Sequence, residues 1–311
     1  MSDCLPGDEI NGPGGDIRTS HTPVLLDEIL ELMKPAPGKR FIDATGGPGN
    51  MSRALLEKSS PDGRVLTLDC DPRASSEQKR VLGEFGDRSV RRLANFAGIL
   101  DVASEEGFIP CDGIIYDLGV SSAMLDSGEY GMSIRHDAPL DMRFDPSLET
   151  SARDLVNTLG EAELVNLLRE MDESRFARPI ARAIIRERAV EPIESTIRLA
   201  EIVSKAVPRR FHPRNIHVAT RTFLALRAEV NREKESLERS LRDCPDILAA
   251  GGVLAVICYS SFEDRIVKET VRESRDRWER MTRKPVRPDP EEIQRNPRSR
   301  SARLRSFRKV A

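Results

Sequence analysis

The sequence predicts an α/β protein whose parallel sheet is interrupted by a helical insertion. Buried strand patterns alternate with helical patterns before residue 124 and again after residue 213, as in parallel sheets covered by helices on both faces. The intervening residues show helical periodicity and no strand pattern. We therefore predict a discontinuous sheet domain (21–124 and 213–311), an inserted all-helical domain (125–212) and a disordered N-terminal segment rich in Gly, Pro and Asp (1–20).

The elements of the first part follow a regular order. The stretch 21–35 has apolar residues at helical spacing and ends at Pro35, which predicts a helix. Short apolar runs then predict strands at RFID, GRVLTLDCD, SVRRLANF and CDGIIYDLGV. Helical patterns lie between the earlier strands, at SRALLEK and DPRASSEQKRVLGEFG.

After residue 124 the helical patterns come first and the sheet pattern resumes later. The insertion contains SARDLVNTLGEAELVNLLREMDESRFARPIARAIIRERA and STIRLAEIVSKAV. A single long helix is predicted at ATRTFLALRAEVNREKESLERSLRDCPDILAAGG. A fifth strand follows at GGVLAVICYSS, and a further helix at EDRIVKETVRES.

Composition limits the class of protein. Of the 311 residues, 39% are hydrophobic and 32% are charged, and no apolar run approaches the ~20 residues of a membrane span. The N-terminal residues lack the apolar region of a signal peptide. The five cysteines form no CxxC pair, so we expect reduced thiols, a cytoplasmic location and no metal site. The oligomeric state is left open, a homodimer included.

Charge is distributed unevenly along the chain. The formal net charge is −2, but residues 295–311 contain seven basic residues and no acid, so residues 1–294 sum to −9. A basic strip on an acidic protein favours contact with a polyanion such as nucleic acid. The alternative is a solvated or disordered tail.

The glycine loop in RFIDATGGPGNMS points to the ligand. A nucleoside triphosphate loop needs a lysine after the glycines, and none is present. A dinucleotide loop needs G-x-G-x-x-G; Gly47 and Gly49 fit, but Ser52 stands at the third glycine. Asp43, directly before the loop, would repel a pyrophosphate. Both ligand classes are therefore disfavoured.

S-adenosylmethionine (SAM) suits the loop better, because its sulfonium and ammonium groups are positive. Asp43 would balance this charge while the glycines allow close approach of the backbone. Asp69 ends the second strand, 20 residues after Gly49, where such folds place an acid that binds ribose hydroxyls. Taken singly, either acid could instead be a cap or turn residue. Together they predict a SAM site.

Other acids are candidates for the reacting end of this site. Asp117 ends the fourth strand, so it faces the same crevice as Asp43 and Asp69; the alternative is a helix cap. Asp141 lies in HDAPLDMRFD, close to Arg143. It could line the acceptor pocket, which makes it a catalytic candidate; the alternative is a structural salt-bridge cluster. Cys258 could serve as the nucleophile of carbon-5 methylation, but a buried strand residue is the simpler interpretation.

Several motifs together resemble a known family. The blocks HTPVLLDE, DATGGPGNMSRALL, DLGVSS, PLDMRFD, RFARPIARAI, ATRTFLALRAEVN, EDRIVK and NPRSRSARLR occur in the order found in bacterial 16S ribosomal RNA cytosine-N4 methyltransferases. The resemblance runs from about His21 to the C-terminus. It implies a class I SAM-dependent (Rossmann-like) fold, methylation of the N4 amine of a cytidine, and 16S ribosomal RNA or the 30S subunit as partner.

The resemblance also implies a set of cofactor contacts. Placed on this sequence, the family's SAM-binding positions fall on Gly49, Asn50, Met51, Asp69, Phe96, Asp117 and Met124. Asn50 replaces a glycine, Met51 a histidine and Met124 a glutamine. Outside this set, Leu224 replaces a glutamine, and Ser260 replaces the histidine of the family's FHSLEDR block. A lost polar contact typically costs ~1 kcal/mol, so we expect SAM binding to persist.

Arginines are the candidates for contact with RNA phosphates, which position the nucleic acid without reading its sequence. They are Arg209, Arg210, Arg214, Arg298, Arg300, Arg303 and Arg305. Arg175, Arg178, Arg182 and Arg186 recur at about one-turn spacing and form either a further basic face or a solvated one. Three rivals remain: the same fold with another RNA or small-molecule acceptor, a ribosome-assembly factor that binds SAM or RNA without catalysis, and an NAD oxidoreductase, which Asp43 disfavours.

Overall fold

The computed structural model describes residues 23–310, apart from 121–123, 125–127, 172, 174 and 215. The predicted disordered segment 1–20 lies outside these residues. Within them, one seven-stranded sheet is present. Its strands are β1 Arg40–Asp43, β2 Arg64–Asp69, β3 Ser89–Leu93, β4 Cys111–Asp117, β5 Leu248–Cys258, β6 Trp278–Arg280 and β7 Arg303–Lys309.

The strand order is β3-β2-β1-β4-β5-β7-β6. The five strands β1 to β5 pair in parallel, whereas β7 runs antiparallel to both of its neighbours. Arg303, the first residue of β7, therefore pairs with Cys258, the last residue of β5. As a result, the carboxyl ends of β1 to β5 and the start of β7 meet at one edge of the sheet, which we call the carboxyl edge.

Helices flank the sheet and fill the region between β4 and β5. In the described part of the chain they are α1 Leu26–Met33, α2 Asn50–Lys58, α3 Pro72–Leu82, α4 Ile99–Glu105, α5 Ala152–Thr158, α6 Glu161–Glu170, α7 Ala177–Arg188, α8 Thr196–Ala206, α9 Thr220–Val230, α10 Glu233–Ile247, α11 Ser261–Glu273 and α12 Pro290–Arg295. The described residues between β4 and β5 include no strand, only the isolated bridge between Pro139 and Ser195. The predicted helical character of the insertion is therefore confirmed.

Apolar residues are buried on both faces of the sheet. Phe41 belongs to the core on the face of α1 and α2, while its neighbour Ile42 belongs to the core on the other face, because successive strand side chains point to opposite faces. The second core also contains Leu164 and Ile184 of the inserted helices. The inserted helices thus share one continuous core with the sheet, and the domain limits 125–212 stay a prediction.

One sequence prediction about the second half was wrong, and one of the two interpretations of the basic strip is excluded. The single long helix is broken into α9 and α10 at Arg232, which has a left-handed backbone (φ 48°), while an ion pair between Arg227 and Glu233 (2.6 and 2.8 Å) spans the break. The basic strip is not a tail, because residues Arg303–Lys309 form β7 inside the sheet. The helix α4 and the edge strand β6 were not predicted at all.

Candidate active site

The glycine loop between β1 and α2 presents bare backbone at the carboxyl edge. Gly47 and Gly49 have left-handed backbones, with φ of 49° and 95°, which glycine adopts without strain. The amide of Gly46 donates to the Leu68 carbonyl at 2.7 Å. A Cβ atom at Gly46 would lie 2.3 Å from Cγ2 of Thr67. The loop therefore fits against β2 only because it has no side chain there.

Asp43 is buried at the end of β1, with 1% of its surface exposed. Its carboxylate accepts hydrogen bonds from Ser52 Oγ at 2.7 Å and from the Thr45 amide at 3.3 Å. Burial raises the pKa of Asp43 to about 6, although these two hydrogen bonds oppose the shift. Ser52, which stands where a dinucleotide loop has its third glycine, thus stabilises the carboxylate of Asp43.

Asp69, at the end of β2, fastens the glycine loop. Its carboxylate accepts from the Gly47 amide at 2.7 Å and from the Asp71 amide at 2.8 Å. Burial raises its pKa above the ordinary aspartate value. The predicted contact with a ribose stays a prediction, but the structure brings Asp69 together with the loop as expected from the sequence.

Asp117 ends β4 next to Asp43. Its amide donates to Thr45 Oγ1 at 2.6 Å, and its carboxylate accepts from the Tyr259 hydroxyl at 2.8 Å. Burial raises the pKa of Asp117 to about 7; the Tyr259 hydrogen bond opposes this shift, while the carboxylates of Asp43 and Glu263 add to it. Sequence reasoning missed Tyr259, although CYSSFEDR set against the family block FHSLEDR places this tyrosine where the family has a phenylalanine.

In the part of the chain that the structure describes, these three acids have no cationic partner. Among the described residues, no lysine, arginine or histidine forms an ion pair with Asp43, Asp69 or Asp117. Asp43 is buried and the other two acids are half-buried, and carboxylates in such places are ordinarily paired, because an isolated charge in a low-dielectric site is costly. Unpaired acids beside a bare glycine loop fit a positively charged ligand, as SAM is, and disfavour a pyrophosphate.

The other predicted cofactor residues lie around this edge in varied settings. Phe96 is partly buried in a short 3₁₀ turn after β3, and its ring packs edge-on against Tyr116 with 5.7 Å between centroids. Asn50 is the first residue of α2, and Met51 is buried in the core beneath that helix. Met124 packs, partly buried, against the opposite core. Their contacts with SAM stay predictions.

Ser260 and Leu224, the two further residues that differ from those of the family, also have structural explanations. Ser260 caps α11: its hydroxyl accepts from the Glu263 amide at 3.2 Å, and Glu263 accepts in return from the Ser260 amide at 2.9 Å. Such a capping box stabilises a helix start. Leu224, in α9, packs partly buried against the core. Each residue therefore contributes to local stability.

Asp141 is one half of an ion pair. Arg143 binds its carboxylate with two nitrogens, at 2.7 and 2.9 Å, which lowers the pKa of Asp141. The intervening Met142 has a left-handed backbone (φ 67°) and is fixed by hydrogen bonds to the Tyr130 carbonyl and from Asn231 Nδ2, both at 2.8 Å. The salt-bridge alternative is thus observed, and the catalytic role of Asp141 stays a prediction.

The cysteine alternative is disfavoured by burial. Cys258 has no exposed surface, and burial raises its pKa well above the ordinary thiol value. The thiolate required for carbon-5 chemistry would be strongly destabilised there. Within the described ranges, no group of three or more His, Cys, Asp or Glu side chains is arranged to hold a metal ion.

The predicted RNA-binding arginines fall into two groups. Arg209, Arg210 and Arg214 are exposed near the end of the insertion. Arg298 and Arg300 are exposed in a short 3₁₀ helix before β7, and Arg303 begins β7 at the carboxyl edge. Arg305 forms an ion pair with Asp264 of α11 at 2.5 Å. We expect this pair to hold α11 on the sheet, and the contact of Arg305 with RNA stays a prediction.

Comparison with known proteins assigns the family. A family model described as "MraW methylase family" matches residues 18–310. The chain belongs to the MraW methylase family. A protein of Syntrophobacter fumaroxidans named "Ribosomal RNA small subunit methyltransferase H" is 43% identical, covering 93% of this chain and 96% of its own length. A protein of the same name from Syntrophotalea carbinolica is 42% identical, covering 93% of this chain and 98% of its own length.

Membership of the MraW methylase family confirms several expectations. The chain is a SAM-dependent methyltransferase, and its seven-stranded α/β sheet has the predicted class I fold. Its glycine loop and unpaired acids fit that cofactor. None of the described helices of this MraW methylase is both long and apolar enough to cross a membrane.

Proposed function

We propose that this methyltransferase modifies the exocyclic N4 amine of a cytidine in 16S ribosomal RNA, on the 30S subunit, in the cytoplasm. The observation that supports the proposal best is the pair formed by Asp117 and Tyr259 at the end of β4, beside the unpaired acids of the cofactor site. The names of the curated relatives support a ribosomal RNA substrate.

SAM would be bound by the glycine loop, Asp43, Asp69 and Phe96. The loop amides and the absence of side chains allow close approach, and the carboxylates balance the positive charge of the cofactor. When bound, SAM supplies a methyl group activated by its positive sulfur. Asp43, held by Ser52, stays in place without a cationic side chain that would compete with the cofactor.

Asp117 orients the acceptor. The amine of cytosine has two N–H donors, and a carboxylate that accepts one of them fixes the nitrogen, as proximity effects require. With a pKa near neutrality, Asp117 is also suited to receive the proton that the amine loses. The hydrogen bond from Tyr259 occupies one of its oxygens and leaves the other for the base. No covalent nucleophile is needed, in agreement with the buried Cys258.

The target cytidine must leave its stack to reach the crevice. Arg298, Arg300 and Arg303 lie at the start of β7, on the same edge as Asp117. The second group, Arg209, Arg210 and Arg214, provides further exposed arginines near the end of the insertion. Contacts with phosphates would set the position of the RNA, while the crevice selects the base.

The test is methyl transfer from labelled SAM to 30S particles and to free 16S RNA, followed by mass mapping of the nucleosides. Wild-type protein should form N4-methylcytidine, and Asp117→Asn should lose transfer while retaining affinity for S-adenosylhomocysteine. Carbon-5 methylation would instead favour the cysteine rival. Binding of SAM without transfer to any RNA or subunit would favour the assembly factor.

A further inference from the structure

Two arginines and two phenylalanines form a compact cluster on the insertion. The guanidinium carbon of Arg175 lies 3.9 Å from the ring centroid of Phe211 and 5.4 Å from that of Phe176. Arg210 lies 4.9 Å from the same Phe211 ring. The two rings are 5.3 Å apart and tilted by 45°. We call these four residues the arginine–phenylalanine platform.

The platform is positively charged and lacks neutralising partners. Arg175 and Arg210 are exposed, and neither forms an ion pair within the part of the chain that the structure describes. Glu173, two residues before Arg175, is buried and pairs instead with Arg221 at 3.7 Å. Two guanidinium groups on one ring repel each other, so the arrangement favours a negatively charged partner.

The segment that precedes the platform is hydrogen-bonded to α11, the helix that begins beside the acceptor site. Arg265 of α11 donates to the Glu170 carbonyl at 2.8 Å, just before the turn that contains Arg175. The cap of α11, Ser260, is adjacent in sequence to Tyr259, which contacts Asp117. RNA bound with one nucleotide in the crevice could therefore extend along α11 toward the platform.

We infer that the platform stacks an unpaired base of the RNA strand that flanks the target nucleotide. This inference rests on the proposed function. A guanidinium that lies against a ring on one side and is exposed offers its other side to a base, and stacking on arginine or aromatic planes is how unpaired RNA bases are commonly bound. The ring orients the guanidinium in advance. Recognition of this kind depends on the planar guanidinium group of arginine, which lysine lacks.

The first experiment measures the affinity for an unstructured single-stranded RNA of about 12 nucleotides by fluorescence anisotropy over a salt series. Arg175→Lys keeps the charge but removes the plane, so the Kd should rise roughly 5-fold or more, as for other stacking contacts, with the salt dependence unchanged. Arg175→Ala should also lower the salt slope by about 0.7. Arg178, exposed on α7, provides the control: Arg178→Lys should leave the Kd unchanged.

The second experiment replaces single bases of the RNA by abasic sites. An abasic site at the position that stacks on the platform should lower the affinity of the wild type for the RNA. The same abasic site should not lower the affinity of Arg175→Ala any further, because this variant has already lost the stacking contact. If Arg175→Lys binds like the wild type, the inference is overturned in favour of phosphate contacts. Reduced affinity for 30S particles with unchanged RNA affinity would also overturn it, in favour of a ribosomal protein. Absence of methyl transfer by the wild type would refute the proposed function alone, because the binding measurements do not depend on catalysis.

Discussion

Replacing Tyr259 by phenylalanine tests how the acceptor site is organised. The substitution removes one hydroxyl, and with it the 2.8 Å hydrogen bond to Asp117. It leaves the packing of the ring against Gly119 unchanged; this ring would lie 3.3 Å from a Cβ atom at that glycine. The perturbation is therefore confined to the carboxylate that we place beside the acceptor amine.

The expected size follows from the chemistry of this hydrogen bond. A hydrogen bond to a charged group contributes about 1.5–3 kcal/mol, and one pKa unit corresponds to ~1.36 kcal/mol. Because the Tyr259 hydroxyl favours the ionised form of Asp117, its removal should raise the pKa of Asp117 further above its present value of about 7, by about one to two units. At pH 7 the ionised fraction of this carboxyl would then fall from about one half to about one tenth or less, so methyl transfer should fall about 5- to 50-fold.

The assay is the pH dependence of single-turnover methyl transfer to 30S particles at saturating SAM. The acidic limb should move to higher pH in Tyr259→Phe, and activity should recover at alkaline pH. Tyr130→Phe is the matched control, because the Tyr130 hydroxyl donates to another carboxylate, that of Asp71; its acidic limb should stay in place. An unshifted limb in Tyr259→Phe would show that Asp117 does not control the reaction.

Three further predictions concern the cofactor site and its supports. The folded protein raises the pKa of Asp43 to about 6 and that of Asp117 to about 7, so the ligand-free protein should lose stability as pH rises from about 4 to 7. Calorimetry should show that the affinity for SAM increases over the upper part of this range. The affinity for S-adenosylhomocysteine, whose sulfur is neutral, should change less. Gly46→Ala should abolish SAM binding, since its Cβ would lie 2.3 Å from Thr67, whereas Gly83→Ala meets open space and should bind SAM normally. Asn231→Ala should lower the free energy of unfolding by about 1–3 kcal/mol in denaturant titrations, because the Met142 carbonyl loses the Asn231 Nδ2 donor; an unchanged midpoint would contradict it.

The strands of the sheet were predictable where their own residues show a strand pattern. The strands β1, β2, β4 and β5 are short apolar runs, and the strand-end acids follow from the rule that carboxyl ends of parallel strands share an edge. In contrast, β7 mixes basic with apolar residues, and the sequence was interpreted as a basic strip that contacts a polyanion, with a charged tail as the alternative. What makes it a strand is pairing with β5 and the ion pair between Arg305 and Asp264, both of which depend on distant parts of the chain.

The candidate site was predictable in its charges but not in its hydrogen bonds. Asp43, Asp69 and Asp117 could be named from their positions at strand ends. The partners that hold them, Ser52 and Tyr259, could not, because each reaches its acid only after the chain has folded. The break between α9 and α10 was also missed, because the sequence around Asn231 keeps the helical pattern. The contact made there, from the Asn231 side chain to the Met142 carbonyl, forms only in the folded chain.

The histidine that the family resemblance implies and the tyrosine observed here occupy neighbouring positions of one block, and we expect their polar groups to substitute for each other. In FHSLEDR a ring nitrogen follows a phenylalanine, whereas here Ser260 follows a tyrosine whose hydroxyl contacts Asp117. If both arrangements supply one polar group to that carboxylate, the double variant Tyr259→Phe/Ser260→His should transfer methyl groups better than Tyr259→Phe alone. The cap of α11 would weaken in this variant, by about 1 kcal/mol, so thermal unfolding must be followed alongside activity. Equal activities in the single and double variants, with similar stability, would show that the two substitutions are independent and that Tyr259 has a role of its own.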